Sequence, residues 1–234
     1  MRLYKNMSKI FCVIPAYNEE KNIIKAINEV KPFVNEIVVV DDSSSDKTFE
    51  LAKKQGVSVL RHIINRGQGA ALQTGNDYAL LKGADIIVHF DADGQFLANE
   101  INDMVKPIVA GEAQVTIGSR FLGRHSNIPL IKRNFIMPIA RLVNKIFIGK
   151  TLTDPQNGFR ALSREVAEKI KITNDGSAHC SEILSKIFKN NFIIKEVPVT
   201  VIYNEFGQGL FGGRGRGMGG VAIVKDLIIS KLID

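Results

Sequence analysis

Four short apolar runs, "KIFCVIPA", "NEIVVVDD", "VSVLRH" and "ADIIVHF", punctuate residues 9–90, and each gap between them carries a helix-like segment. In "NEEKNIIKAINEVKPF" the residues Ile23, Ile24, Ile27 and Val30 recur at helical spacing. "SSSDKTFELAKKQG" opens on capping residues and stops at Gly56, and "GAALQTGNDYALLKG" stops at Gly83. Continuous apolar strands separated by helices require a mostly parallel α/β sheet covered on both faces. In such sheets ligands sit outside the carboxyl ends of the strands. Here those ends read "PAYNEE", "DDSSSD", "INRGQG" and "DADGQ". Four polar loops therefore converge on one edge, and that edge is the expected site.

Beyond Ala98 the pattern predicts a helix in "NEINDMVKPIVAG", a strand in "AQVTIGSRF", and a turn leading into a helix in "TDPQNGFRALSREVAEKI". A helix in "SEILSKIFKNN" and a closing strand in "FIIKEVPVTVIY" follow. The N-terminal apolar run is short and meets Pro15, Glu19 and Glu20, so it reads as a first strand and not a signal peptide. No segment has the roughly 18 uninterrupted apolar residues of a membrane-spanning helix. Cys12 and Cys180 have no metal-ligand spacing and read as small apolar side chains in a reducing compartment.

Charge divides the chain. Residues 1–117 hold 13 basic and 15 acidic side chains, whereas residues 118–234 hold 18 and 9. No acid stands between Glu112 and Asp154, while Arg120, Arg124, Lys132, Arg133, Arg141, Lys145 and Lys150 all do. Such a block favours an anionic partner. Within it, "IPLIKRNFIMPIARLVNKIFIGK" has the character of a basic amphipathic helix lying on a membrane or packed on a core.

Asp91 and Asp93 lie two apart directly behind the fourth strand, so their carboxylates converge. With Gln95 they make an all-oxygen set suited to Mg²⁺ or Mn²⁺, and such an ion relieves their repulsion while binding a diphosphate. Asp42 can accept hydrogen bonds from a base edge or ribose. "NRGQGAAL" places two glycines at a helix start, where amides can face an anion, but it lacks the Lys and Ser/Thr of an ATP-binding P-loop. His89, between apolar neighbours, reads as a buried histidine and not as a base.

"IPAYNEEKNI", "IVVVDDSSSDKT", "NRGQGAALQTG", "DADGQ", "IGSRF" and "TDPQNGFRALSRE", in this order, resemble the family-two inverting glycosyltransferases of GT-A fold. Within these the likeness is to dolichyl- and polyprenyl-phosphate mannosyl- or glucosyltransferases. The resemblance implies a Rossmann-like sheet with helices on both faces in residues 1–204. Residues 205–234, a glycine-rich loop and an amphipathic helix, are read as appended to it. It further implies that Pro15, Ala16, Tyr17, Glu19, Asp42, Gly67 and Asp91 hold a GDP- or UDP-hexose. Asp91, Asp93 and Gln95 would carry Mg²⁺ or Mn²⁺. The acceptor phosphate would meet Arg120, Arg133, Arg160 and Arg214, and Asp93, Arg120 and Asp154 would be the catalytic set. A phosphate acceptor is already anionic, whereas a hydroxyl acceptor needs a base, for which Asp154 is the candidate. The usual lysine of the asparagine–glycine loop is Gln68 here.

The implied setting is the cytosolic face of an anionic membrane, with a polyprenyl phosphate acceptor and a separate anchoring protein or a homo-oligomer as further partners. A glycan, protein or small-molecule hydroxyl acceptor is the alternative on the same fold. An RNA-binding role suggested by "GGRGRGMGG" is remote, since no aromatics cluster there, and no nucleic acid is expected.

Overall fold

A computed structural model describes residues 8–123, 152–176 and 178–202 of the chain. The first strand, β1 (Ile10–Ala16), is followed by α1 (Ile23–Val30), β2 (Glu36–Asp41), α2 (Thr48–Lys53), β3 (Ser58–Arg61), α3 (Gln68–Leu81) and β4 (Ile86–His89). After a 3₁₀ turn at Ala98–Glu100 come α4 (Ile101–Val109), β5 (Val115–Ser119), β6 (Arg160–Ser163), α5 (Arg164–Lys169), α6 (His179–Lys189) and β7 (Ile194–Pro198). The alternation expected for the first half is therefore present element by element.

The strands form one sheet in the order β3-β2-β1-β4-β6-β5-β7. β1 pairs in parallel with β2 and β4, and β5 with β7. β6 runs antiparallel to both β4 and β5. This strand lies where the sequence predicts only a turn before a helix. Its four residues, "RALS", carry no periodic apolar signal; burial between two neighbouring strands makes them a strand. The closing strand is shorter than expected, ending at Pro198, and a single bridge from Val201 to Phe96 continues the pairing.

Side-chain alternation along each strand builds two cores. Ile10, Cys12 and Ile14 of β1 join Ile37 and Val39 of β2 under α1 and α4, whereas Phe11, Val13, Val38 and Val40 face α3, α5 and α6. Both cysteines are buried and free. Among the described residues no helix is long and apolar enough to cross a membrane. The acid-free stretch around Arg133 and the whole of the expected appendage, residues 205–234 with Arg214, lie outside the described residues.

Candidate active site

A cavity of about 670 Å³ opens at the carboxyl ends of the central strands. Its wall takes Pro15 and Ala16 from the end of β1, Tyr17 and Glu19 from the loop after it, Asp42 from after β2, and Asn65, Gly67 and Gln68 from after β3. Asp91, Asp93 and Gln95 follow from after β4, Arg120 from after β5, and Gln156 and Gly158 from the turn before β6.

Three phenylalanines hold the carboxylate loop in place. Phe90 precedes Asp91, Phe96 follows Gln95, and Phe159 follows Gly158. Phe90 meets Phe159 edge-on with ring centroids 5.5 Å apart, and Phe96 stacks on Phe159 at 5.2 Å. Aromatic packing thus clamps both ends of "DADGQ" to the 156–158 turn. Asp93 Oδ1 accepts the Gln95 amide at 3.0 Å, tightening the loop further.

Asp91 is held on two sides. Gln68 donates its side-chain amide to Asp91 Oδ1 at 2.8 Å. Gly158 lies against the other oxygen so closely that a Cβ there would stand 2.9 Å from Oδ2. Burial first, then the charge of Asp93, push the Asp91 acid up to about 7, against a lowering pull from Arg160. Burial also raises Asp93, and it raises Glu19, where Asp93 and Asp46 add to the effect. Crowded, desolvated carboxylates of this kind favour a proton or a cation. Among the described residues no three His, Cys, Asp or Glu side chains gather as a metal site. Two carboxylates and the Gln95 amide oxygen still fit Mg²⁺ or Mn²⁺, because these ions complete their shells with diphosphate oxygens and water.

The glycine loop behaves differently from expectation. Asp42, 3 % exposed, accepts the Gly67 amide at 2.6 Å on Oδ2, and the Arg66 amide at 2.9 Å and His62 Nδ1 at 2.7 Å on Oδ1. The Gly69 amide donates to the Asp175 carbonyl at 3.0 Å. Gly67 has φ +105°, and a Cβ on it would collide with that same carbonyl. The amides of residues 66, 67 and 69, which the sequence offers to an anion, are thus committed to protein partners.

On the opposite wall Arg120 grips Asp154: Nε lies 2.5 Å from Oδ2, and Nη2 lies 3.2 Å from Oδ1. Asn157 Nδ2 donates to the same Oδ2 at 3.1 Å, and Glu196 of β7 accepts the backbone amides of Thr153 and Asp154. Asp154 is 3 % exposed.

Residues 11–171 match the family described as Glycosyl transferase family 2. The chain belongs to that family. Over 219 residues this glycosyltransferase is 33% identical to the UDP-N-acetylglucosamine--dolichyl-phosphate N-acetylglucosaminyltransferase of Methanococcus voltae, covering 84% of this chain and 87% of that one. It is equally 33% identical to the polyprenol monophosphomannose synthase of Mycolicibacterium smegmatis, over 86% of this chain and 80% of the relative. In fold it is similar to the glucosyl-3-phosphoglycerate synthase of Mycobacterium tuberculosis crystallised with Mn²⁺, uridine-diphosphate and phosphoglyceric acid. The TM-score is 0.73 at 21% identity, over 98% of this chain and 80% of that one.

In the glycosyltransferase, Pro15, Ala16, Tyr17, Glu19, Asp42, Gly67, Asp91, Asp93, Gln95 and Arg120 line one cavity. Arg160 requires a correction: expected beside the acceptor phosphate, it lies inside the sheet, 1 % exposed and in register with His89. Asp154 does not line the cavity and, as Arg120's partner, has the geometry of an orienting residue. His89 is 1 % exposed, bonds Asn76 Oδ1 at 2.9 Å, and is kept neutral by burial, which lowers it to about 3. His62, Gln156 and Glu196 escape a sequence reading because their partners, Asp42, Ser181 and the 153–154 turn, are 20 or more residues distant.

Proposed function

We propose that this glycosyltransferase is a metal-dependent, inverting hexosyltransferase that moves a hexose from a GDP- or UDP-hexose to a polyprenyl phosphate at a membrane surface. The two relatives at 33% identity, which differ in donor sugar but share an isoprenoid phosphate acceptor by name, support the acceptor class. One observation carries the reading: Asp91, Asp93, Gln95 and Arg120 line the same cavity as the loops expected to hold the nucleotide.

Asp91, Asp93 and Gln95 would hold Mg²⁺ or Mn²⁺, which when bound stabilises the charge that develops on the departing nucleoside diphosphate. The remaining work falls to the chain itself. Gln68 and Gly158 keep Asp91 in place from two sides. Arg120, its guanidinium fixed by Asp154, adds positive charge where acceptor and leaving-group phosphates meet. An acceptor phosphate is anionic near neutral pH, so attack on the anomeric carbon needs no side-chain base, and the committed carboxylate of Asp154 agrees with this. Inversion follows from a single displacement on the face opposite the diphosphate.

The test is direct. Purified protein with Mn²⁺ is given UDP- and GDP-hexoses with farnesyl phosphate or with water-soluble hydroxyl acceptors. Sugar transfer to farnesyl phosphate that disappears with chelator is expected. Transfer only to a water-soluble acceptor would overturn the acceptor assignment.

A further inference from the structure

Gln156 lies on the turn that joins Asp154 to β6, two residues before the glycine pressed against Asp91. It belongs to the cavity wall. Its Nε2 donates to Ser181 Oγ at 2.9 Å, and Ser181, in the first turn of α6, is 1 % exposed. A primary amide has a donor branch and an acceptor branch, and fixing one fixes the other. With Nε2 tied to a buried hydroxyl behind the wall, Oε1 is the branch left for the cavity. Among the described residues it accepts no hydrogen bond.

Position says what such an acceptor meets. The diphosphate belongs at Asp91 and Asp93, and the hexose is bonded directly to it. The sugar therefore lies beside Asp91, where Gln156 and Gly158 form the wall. Sugar hydroxyls are donors, and a neutral acceptor of fixed orientation distinguishes a hydroxyl that reaches it from one that does not.

Resting on the function proposed above, we infer that Gln156, locked by Ser181, accepts a hydrogen bond from one hydroxyl of the transferred hexose and so helps set donor-sugar choice. It reads the sugar, not the nucleotide. Ser181 is a positioning residue: without its hydroxyl the amide can turn over and present a donor instead.

The experiment uses the full chain with Mn²⁺ and farnesyl phosphate. UDP-glucose, UDP-N-acetylglucosamine and GDP-mannose are compared first, then the monodeoxy analogues of the best donor. Gln156→Ala is expected to lower kcat/KM for the parent sugar by about 10- to 100-fold. It should leave the Kd of the Mn²⁺–nucleoside diphosphate unchanged and make no difference to one deoxy analogue, the one lacking the hydroxyl that is read. Ser181→Ala should narrow the gap between donors. Gln156→Met, which keeps length without the amide, should match Gln156→Ala and serves where the alanine variant folds poorly. Equal losses on parent and every deoxy analogue, or weakened nucleoside diphosphate binding, would overturn the inference while wild-type turnover upholds the proposed function. No turnover by the wild type with any donor would overturn both.

Discussion

Gln68 donates its side-chain amide to Asp91 Oδ1 at 2.8 Å, joining the start of α3 to the end of β4 across the cavity floor. Gln68, where the resemblance leads one to expect a lysine, thus orients a carboxylate. A neutral donor here leaves Asp91's negative charge available, whereas an ammonium at that distance would compete with a bound cation.

Removing that donor should weaken metal binding without unfolding the protein. Outer-shell partners typically govern about 10- to 100-fold in metal affinity. Gln68→Ala is expected to raise the Mn²⁺ concentration for half-maximal activity by about tenfold, and Gln68→Lys by more. Unchanged Mn²⁺ titrations in both variants would show that the Gln68–Asp91 bond is incidental.

Gly158→Ala is a steric test of the same carboxylate. The added methyl would lie 2.9 Å from Asp91 Oδ2, so the side chain must move off its position. Activity should fall steeply, while circular dichroism and thermal melting show an intact fold. Full activity would mean that Asp91 tolerates displacement.

Asp93→Asn should abolish turnover and leave the melting temperature of the metal-free protein equal or higher. Asp91 and Asp93 raise each other's free energy in the absence of a cation, and the substitution removes one charge of the pair. Activity near the wild-type rate, or a large loss of stability, would contradict the placement of Asp93.

The metal should stabilise the protein more at higher pH. Burial and Asp93 push Asp91 up to about 7. Between the unfolded value near ~3.9 and that point, the folded metal-free protein binds more protons than the unfolded chain. Its stability therefore declines as pH rises through this window and levels off above it. A divalent ion held by this pair would require it deprotonated, so its contribution would grow over the same window. Thermal shifts on adding Mn²⁺ should be clearly larger near pH ~8 than near pH ~6; equal shifts would show that Asp91 does not bind the ion.

Asp154→Asn probes the buried pair with Arg120, whose side chain is 13% exposed against 3% for its partner. Breaking a buried pair by neutralising one member costs about 3–5 kcal/mol, so chemical denaturation should show a loss of that order. Activity should fall while the shape of the pH–rate profile stays the same, because Asp154 orients Arg120 and transfers no proton. Loss of the acidic limb on that profile would instead reveal a general base.

Much of the molecule is legible in local pattern. Ile10–Ala16, Glu36–Asp41 and Ile86–His89 announce themselves as strands because continuous apolar residues have one favourable place, the middle of a covered sheet. Asp91 and Asp93 are visible because two charges behind a buried strand are costly without a partner. What stays hidden depends on residues brought together from afar. Arg160 is expected at the acceptor phosphate until β4 and β5 close over it. The amides of Arg66, Gly67 and Gly69 read as an anion cradle until Asp42 and Asp175 occupy them.

The order of apolar and polar residues alone determined the α/β architecture, the edge that carries the site and the carboxylate pair at its centre, since burial and charge repulsion act on neighbours in the chain. Only the tertiary structure decided which polar groups remain free for a ligand. A hydrogen bond satisfies a donor once, and whether Gly67, Asp154 or Gln156 meets the substrate or the protein depends on partners 25 to 42 residues away in sequence.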